Sequence, residues 1–253
     1  MKLKRKLLIA TLAVAIGLEL VFQFTGLKIV QDEVMNELVT VLITRLITGF
    51  GLLFILRELG YVVFEKIKLR HFWFILPFLA VAINNLPIAS LIIKEAYVIK
   101  PVIYVFVLAL SCIAVALAEE TTFRGILFNF LLEEKKEKSL FWVIIVQAAV
   151  FAFIHVFNLL FGAGFIDVIL QVGYTFLFGA MLAVVLYKTK NIWFCISLHA
   201  VYNFGGLLLP TLGAGTWFNP ITIVITAVLA VGVLIYVLII LNKEQAFRER
   251  QSS

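Results

Sequence analysis

The sequence predicts an all-α membrane protein, a bundle of about eight transmembrane helices with both termini cytoplasmic. Of its 253 residues, 63% are hydrophobic and only 14% are charged, and the mean hydropathy is +1.11. Such a composition leaves too few polar groups to cover the surface of a water-soluble domain. The apolar residues also cluster in runs of about 20, the length that a helix needs to cross a hydrocarbon layer of roughly 30 Å.

Eight apolar runs are predicted to be spans. They lie near residues 7–27, 38–56, 72–93, 101–120, 140–161, 166–186, 192–209 and 221–241. The first follows basic residues, as the apolar part of a signal peptide does, but its length and the absence of a small-residue cleavage pattern predict a retained span. No linker rich in Pro, Gly or Ser and no internal repeat divides the sequence, so we expect one membrane domain over residues 1–253.

The basic residues indicate how the spans are oriented. The net charge of +6 does not indicate nucleic-acid binding, because the Lys and Arg residues form short patches beside the spans. Most of them fall in segments that alternating spans place on the same side as the amino terminus, whereas the opposite segments hold only Lys28, Lys94 and Lys100. The positive-inside rule therefore predicts a multi-pass protein of the cell membrane with cytoplasmic termini.

Ionisable groups occur inside these apolar runs. Glu119 and Glu120 lie at the end of the fourth span, and His155 and His199 lie within two others. A charged side chain near the middle of a bilayer costs roughly 2.5–3.5 kcal/mol on insertion scales, which predicts a functional site. The apolar run 101–132 is longer than one straight crossing, so it forms either one long tilted helix or a helix that breaks near Gly125.

Two spacings predict pairs of polar groups on one helix face. Glu120 and Arg124 are four residues apart, which allows a salt bridge that offsets part of the membrane cost. His199 and Asn203 are also one turn apart, and both carry donors that can stabilise an oxyanion. The remaining polar residues of the spans are predicted to serve only helix packing and kinking: Glu19, Arg45, Asn84, Asn85 and Gln147.

Three motifs follow one another on three separate spans. They read Glu119-Glu120-x-x-x-Arg124, Phe151-x-x-x-His155 and His199-x-x-x-Asn203. Together they resemble the EExxxR, FxxxH and HxxxN motifs of the CPBP family of intramembrane proteases, which includes the eukaryotic type II CAAX prenyl endopeptidase and many bacterial relatives. Each motif is weak by itself, but their order within apolar spans is specific. The resemblance covers residues 101–209, the expected catalytic core.

The resemblance implies an intramembrane endopeptidase. It assigns Glu119 and His155 to the activation of water, and His199 and Asn203 to an oxyanion hole. A carboxylate within hydrogen-bonding reach of water suits the role of general base. The implied partner is a membrane-associated peptide or protein substrate that enters from the cytoplasmic side or the bilayer, with no nucleic acid. Bacterial relatives are linked to bacteriocin self-immunity and to peptide processing.

Glu120 and Arg124 are expected to shape the site, and no cofactor is expected. A zinc-dependent version of the protease is an alternative, because Glu, His and Asn side chains can bind zinc, although no compact HExxH signature occurs. A second alternative is a non-proteolytic scaffold or regulator that binds another membrane protein. A third is a proton-coupled transporter, against which the absence of internal symmetry argues.

Overall fold

A computed structural model describes residues 28–134, 139–216 and 220–252, together with Ala10, Ala13 and Gly17. The elements follow in this order: α1 (Glu33–Glu58), α2 (Leu69–Asn84), α3 (Ile88–Ile92), β1 (Ala96–Val98), α4 (Val102–Glu120), a π-helical segment (Thr121–Phe128), α5 (Asn129–Glu134), α6 (Leu140–Ile154), a 3-10 helix (His155–Phe161), α7 (Phe165–Thr189), α8 (Ile192–Leu212), β2 (Gly213–Gly215) and α9 (Pro220–Ser252). The predicted all-α class is confirmed, with one short two-stranded ribbon added.

Six helical stretches among the described residues are long and apolar enough to cross a membrane. They are Glu33–Glu58, Val102–Glu134, Leu140–Phe161, Phe165–Thr189, Ile192–Leu212 and Pro220–Ala246. These stretches correspond to six of the eight predicted spans, and the chain is therefore a multi-pass integral membrane protein. The predicted first span, residues 7–27, lies outside the described residues.

The predicted third span, residues 72–93, is wrong as a continuous crossing. Helix α2 ends at Asn84, and the short α3 begins only after Pro87. Proline lacks a backbone N–H and disfavours helical geometry at the residue before it, so the helix stops here. The side chain of Asn85 donates to the carbonyl of Tyr202 on α8 at 2.7 Å. This contact anchors the break to a neighbouring helix, as a non-helical backbone inside a membrane requires.

The apolar run 101–132 lies within one continuous helical stretch, Val102–Glu134. The predicted alternative in which the helix breaks near Gly125 is therefore wrong, although this glycine does lie in the π-helical segment. The wider turns leave carbonyls outside the regular α-helical pattern. The side-chain amide of Asn129 donates to the carbonyls of Arg124 and Gly125 at 3.0 and 2.8 Å. Local side-chain hydrogen bonds thus stabilise this segment.

Helices α1 and α4 run parallel and pack closely. The hydroxyl of Ser111 donates to the carbonyl of Leu38 at 2.9 Å. Further along both helices, a Cβ atom at Gly49 would lie 2.8 Å from Cγ of Leu117 and 3.2 Å from the backbone nitrogen of Ala118. The absence of a side chain at this glycine therefore lets the two helices approach just before the acidic pair.

Helix α8 runs antiparallel to α4. Its carboxyl-terminal residues Leu208 and Leu212 cluster with Leu108 and Cys112 from the first half of α4. At this end of the bundle β1 and β2 pair antiparallel and connect the chain before α4 to the chain after α8. The same packing brings the amino-terminal half of α8 beside the carboxyl-terminal end of α4.

Candidate active site

Glu119 and Glu120 are the last residues of α4 and directly precede the π-helical segment. The side chain of Glu120 is fully buried, whereas that of Glu119 is 17% exposed. Successive residues of an α-helix point about 100° apart, so the two carboxylates meet different neighbours. One carboxylate is therefore part of the core, and the other remains accessible.

Glu120 forms a buried ion pair with Arg124, as the four-residue spacing predicts. Nη1 of Arg124 donates to Oε1 of Glu120 at 2.8 Å, and both side chains are fully buried. The guanidinium also lies over the ring of Phe151, 4.2 Å from its centroid. The attraction between the cation and the ring helps to stabilise a charge that is removed from water.

His199 on α8 lies between the two glutamates. Its Nδ1 is 2.6 Å from Oε1 of Glu120, and its Nε2 is 3.8 Å from Oε2 of Glu119. An ionised carboxylate only accepts hydrogen bonds, so Nδ1 donates to Glu120. Glu120 thereby binds Arg124 and His199 together and fixes the direction of the imidazole. The other ring nitrogen is left facing Glu119.

Phe151 connects the second histidine to this cluster. Nδ1 of His155 donates to the carbonyl of Phe151 at 3.0 Å, which leaves Nε2 as the acceptor of the neutral ring. The Phe151 ring centroid lies 5.2 Å from that of His155 and 6.0 Å from that of His199. The phenylalanine therefore packs against both imidazoles. Its role was not predicted, because an apolar residue in an apolar span carries no signal beyond its place in the motif.

Asn203 lies one turn after His199 on α8 and is half-buried. The residue before it, Tyr202, is held from two sides. Its ring stacks on Phe178 with centroids 4.3 Å apart, and its carbonyl accepts the hydrogen bond from Asn85. These contacts fix the part of α8 that presents Asn203.

The structure thus brings Glu119, Glu120, Arg124 and His199 into one polar cluster, and it links His155 to them through Phe151. Asn203 follows His199 on the same helix face.

Two residues that the sequence assigned to packing also take part. The side chain of Asn85 donates to the carbonyl of Tyr202, the residue before Asn203. Arg45 on α1 interacts electrostatically with Glu119. The signal at Arg45 was its charge within a span, but residue spacing did not identify a partner on another helix.

The zinc-dependent alternative requires a catalytic zinc site. Such sites offer three protein ligands around an open position. Among the described residues, no group of three or more His, Cys, Asp or Glu side chains could hold a metal ion. Nδ1 of His199 is bound to Glu120 and Nδ1 of His155 to the carbonyl of Phe151, so only Nε2 of each ring is open to a ligand.

The arrangement is suited to proton transfer and to the stabilisation of negative charge. Glu119 is an accessible acceptor, and the Nε2 atom of His199 faces it across 3.8 Å, which is too long for a direct hydrogen bond. A small group such as a water molecule can bridge polar atoms at this separation. The surrounding helices supply an apolar environment in which such electrostatic interactions are stronger than in water.

Residues 101–205 match a family model described as type II CAAX prenyl endopeptidase Rce1-like. No match to a curated protein or to a solved structure was found. The matched segment begins at the start of α4, ends just after Asn203 and contains all three motifs, whereas α1, α2 and α9 lie outside it. The match over residues 101–205 agrees with the resemblance of the three motifs to the CPBP family of intramembrane proteases.

Proposed function

We propose that the protein is an intramembrane endopeptidase that hydrolyses a peptide bond with water activated by Glu119. The observation that carries this proposal is the pairing of an accessible carboxylate with an oriented imidazole. Glu119 faces Nε2 of His199, while Glu120 holds the opposite ring nitrogen. The match of residues 101–205 to a protease family supports peptidase chemistry, and the division of roles below is our own proposal.

Glu119 is the general base. It takes a proton from water as the water oxygen bonds to the carbonyl carbon of the substrate. The acceptor nitrogen of His155 orients the same water molecule. When the carbon–nitrogen bond breaks, the proton held by Glu119 passes to the leaving amine. No side chain forms a covalent bond with the substrate.

His199 and Asn203 stabilise the oxyanion of the tetrahedral intermediate. Nε2 of His199 and the side-chain amide of Asn203 act as donors. For this role His199 carries a proton on each ring nitrogen, and the neighbouring Glu119 and Glu120 stabilise its positive charge. The buried Arg124 neutralises Glu120, so the carboxylate that orients His199 does not remain an uncompensated charge.

The proposed substrate is a membrane-associated peptide or protein. It reaches the site from the cytoplasmic side or from the bilayer, because the polar cluster lies between helices that are long enough to span the membrane. Bacteriocin self-immunity and peptide or lipoprotein-type processing are the biological settings in which we would seek the substrate. We propose no nucleic-acid partner.

The decisive experiment compares peptides in membranes that contain wild-type protein or Glu119→Gln. This substitution preserves the shape of the side chain but removes the base, so we expect one set of cleavage products to disappear. Glu58→Gln is the matched control, because Glu58 is an exposed glutamate at the end of α1. Identical products from Glu119→Gln and wild-type membranes, at equal protein levels, would refute the proposal.

Two further outcomes test the alternatives. A chelator added to the same assay should leave the products unchanged, whereas their loss, reversed by zinc, would support the zinc-dependent version. A cellular phenotype that survives both Glu119→Ala and His199→Ala at normal protein levels would support a non-proteolytic scaffold.

A further inference from the structure

The connecting segment between α1 and α2, residues 61–68, pairs with the turn between α7 and α8. The backbone N–H of Glu65 donates to the carbonyl of Lys190 at 2.9 Å. On the other side of this pairing, the N–H of Ile192 donates to the carbonyl of Val63 at 2.8 Å. The connecting segment is therefore fixed to the bundle by backbone hydrogen bonds.

The connecting segment lies at the level where three long helices end or begin. Helix α1 ends at Glu58, α7 ends at Thr189 and α8 begins at Ile192. All three helices are long and apolar enough to cross a membrane, so their ends mark the boundary between hydrocarbon and water. The positive-inside rule predicts that this end of the bundle faces the cytoplasm.

Large apolar side chains are exposed at this boundary. Phe64 and Trp193 are each 46% exposed, and their ring centroids lie 6.4 Å apart. The preceding Val63 is fully buried, and the alternation of side chains along a paired strand turns Phe64 to the opposite side. At the start of α2, Leu69 and Trp73 share one helix face and are 75% and 69% exposed. Exposed aromatic residues of this kind are typical of the lipid headgroup region.

Three cations lie among these apolar side chains. Lys66, Lys68 and Arg70 are exposed, and none of them forms an ion pair with another residue that the structure describes. The acidic residue of the connecting segment, Glu65, directly precedes Lys66, and strand alternation directs the two side chains to opposite sides. The surface therefore presents positive charge beside apolar rings.

We propose that an interfacial patch, formed by the three cations and three exposed aromatic residues, binds anionic phospholipids: Phe64, Lys66, Lys68, Arg70, Trp73 and Trp193. The cationic groups bind the phosphate and other acidic groups of the headgroup, and the rings lie against the glycerol and the first acyl carbons. A lipid matches both halves of the patch, whereas a soluble anion would match only the cations. This inference is independent of the proposed peptidase chemistry.

The test uses lipid vesicles and the fluorescence of Trp193. Full-length protein that carries Trp73→Phe, Trp142→Phe and Trp217→Phe retains this tryptophan alone, and phenylalanine keeps an aromatic ring in the patch. The protein is reconstituted in phosphatidylcholine vesicles that contain a small share of brominated phosphatidylglycerol or of brominated phosphatidylcholine. Bromine quenches a tryptophan that it contacts, so the ratio of the two quenching constants gives the preference for anionic lipid. We expect a preference of about fivefold or more, which falls as the salt concentration rises.

Matched substitutions distinguish the patch from net charge. Lys66→Gln/Lys68→Gln should bring the preference close to one, whereas Lys66→Arg/Lys68→Arg should retain it. Lys28→Gln/Lys94→Gln is the control, because it makes the same change in net charge at two other exposed lysines, and it should leave the preference unchanged.

Two results would overturn the inference. The first is equal quenching by the two brominated lipids before any lysine is changed. The second is an equal loss of preference in Lys66→Gln/Lys68→Gln and in the control. If the lipids quench equally but a soluble acidic peptide changes the Trp193 emission, and Lys66→Gln/Lys68→Gln removes that response, the partner is a peptide and the lipid proposal is wrong.

Discussion

Two adjacent glutamates have different physical roles because each faces a different environment. Glu120 is fully buried and bound to both Arg124 and His199, whereas Glu119 is accessible and faces His199 across a longer distance. The first is part of a buried charge network, and the second is available to a substrate or to water. Isosteric substitution of each glutamate in turn therefore separates the effect on stability from the effect on catalysis.

We predict that Glu120→Gln lowers stability much more than Glu119→Gln. Breaking a buried ion pair leaves Arg124 uncompensated at a cost of about 3–5 kcal/mol. Glu119→Gln should instead lower peptidase turnover by roughly 10²–10⁴-fold, the usual contribution of a general base, with little change in unfolding temperature. Thermal unfolding in detergent and peptide-product assays measure the two effects. Equal destabilisation by both variants would contradict the assignment.

A second prediction concerns Phe151. Phe151→Leu removes the ring that contacts Arg124, His155 and His199, including a cation–π interaction worth up to about 2 kcal/mol in a desolvated site. We expect a lower unfolding temperature and reduced activity. Phe153→Leu on the same helix is the matched control, because Phe153 is 65% exposed, and it should behave like wild type. Equal effects of the two substitutions would show that the ring has no specific role.

Residue spacing predicted contacts within a helix but not between helices. The Glu120–Arg124 pair followed from the four-residue rule. The hydrogen bond between Glu120 and His199 depends on how α4 and α8 cross, which spacing does not specify. Arg45 was assigned to packing for the same reason, since its carboxylate neighbour lies on another helix.

At the level of helices, close backbone approaches position the site. A Cβ atom at Gly205 would lie 2.5 Å from the carbonyl oxygen of Asn85, 2.6 Å from its carbonyl carbon and 2.7 Å from the nitrogen of Leu86. These are backbone atoms, so no side-chain rotation can relieve the contact. The break after α2 therefore packs directly on α8, beside Tyr202 and Asn203.

We predict that Gly205→Ala is destabilising and Gly51→Ala is not. Overpacking of this kind typically costs about 1–3 kcal/mol, and here it pushes α8 away from the break after α2. Gly51 is also inside a helix, but a Cβ there meets no atom within 4 Å, so the substitution should be neutral or slightly stabilising. Unfolding temperatures of the two variants provide the comparison, and a stable Gly205→Ala protein would argue against the packing.

Hydropathy predicted the long helices well because a span is specified by its length and composition. It did not predict that residues 72–93 are interrupted, since their apolar content is high enough for a span. The interruption comes from Pro87 and from the amide contact of Asn85 with α8. The π-helical segment was also not predicted, because its stability depends on the carbonyls that Asn129 binds.

At the scale of the whole molecule, the second and fourth predicted spans, α1 and α4, run parallel, whereas two other pairs of packed helices run antiparallel. Helices α7 and α8 pack antiparallel around the contact of Cys195 with the carbonyl of Leu182. Helices α2 and α9 do the same, with Phe74 near Tyr236 and Asn84 bonded to Thr226. These directions are the ones that spans alternating along the chain require.

We predict that Lys66 lies on the cytoplasmic side and Glu95 on the opposite side. Both are exposed. Cys112 and Cys195 are buried and can be replaced by alanine to give a background without cysteine. A membrane-impermeant maleimide applied to intact cells should label Glu95→Cys, but should label Lys66→Cys only after the membrane is opened. The reverse pattern would invert the topology and require substrate access from the other side.

The π-helical segment makes the number of residues between the acidic pair and α5 as consequential as their identity. A π-helical turn holds about one residue more than an α-helical turn, so deleting one residue between positions 125 and 128 would let the segment close into ordinary α-helix. The carbonyls of Arg124 and Gly125 would then return to backbone partners, and the hydrogen bonds from Asn129 would be lost. The length of this short stretch therefore decides whether the turn after the acidic pair stays wide.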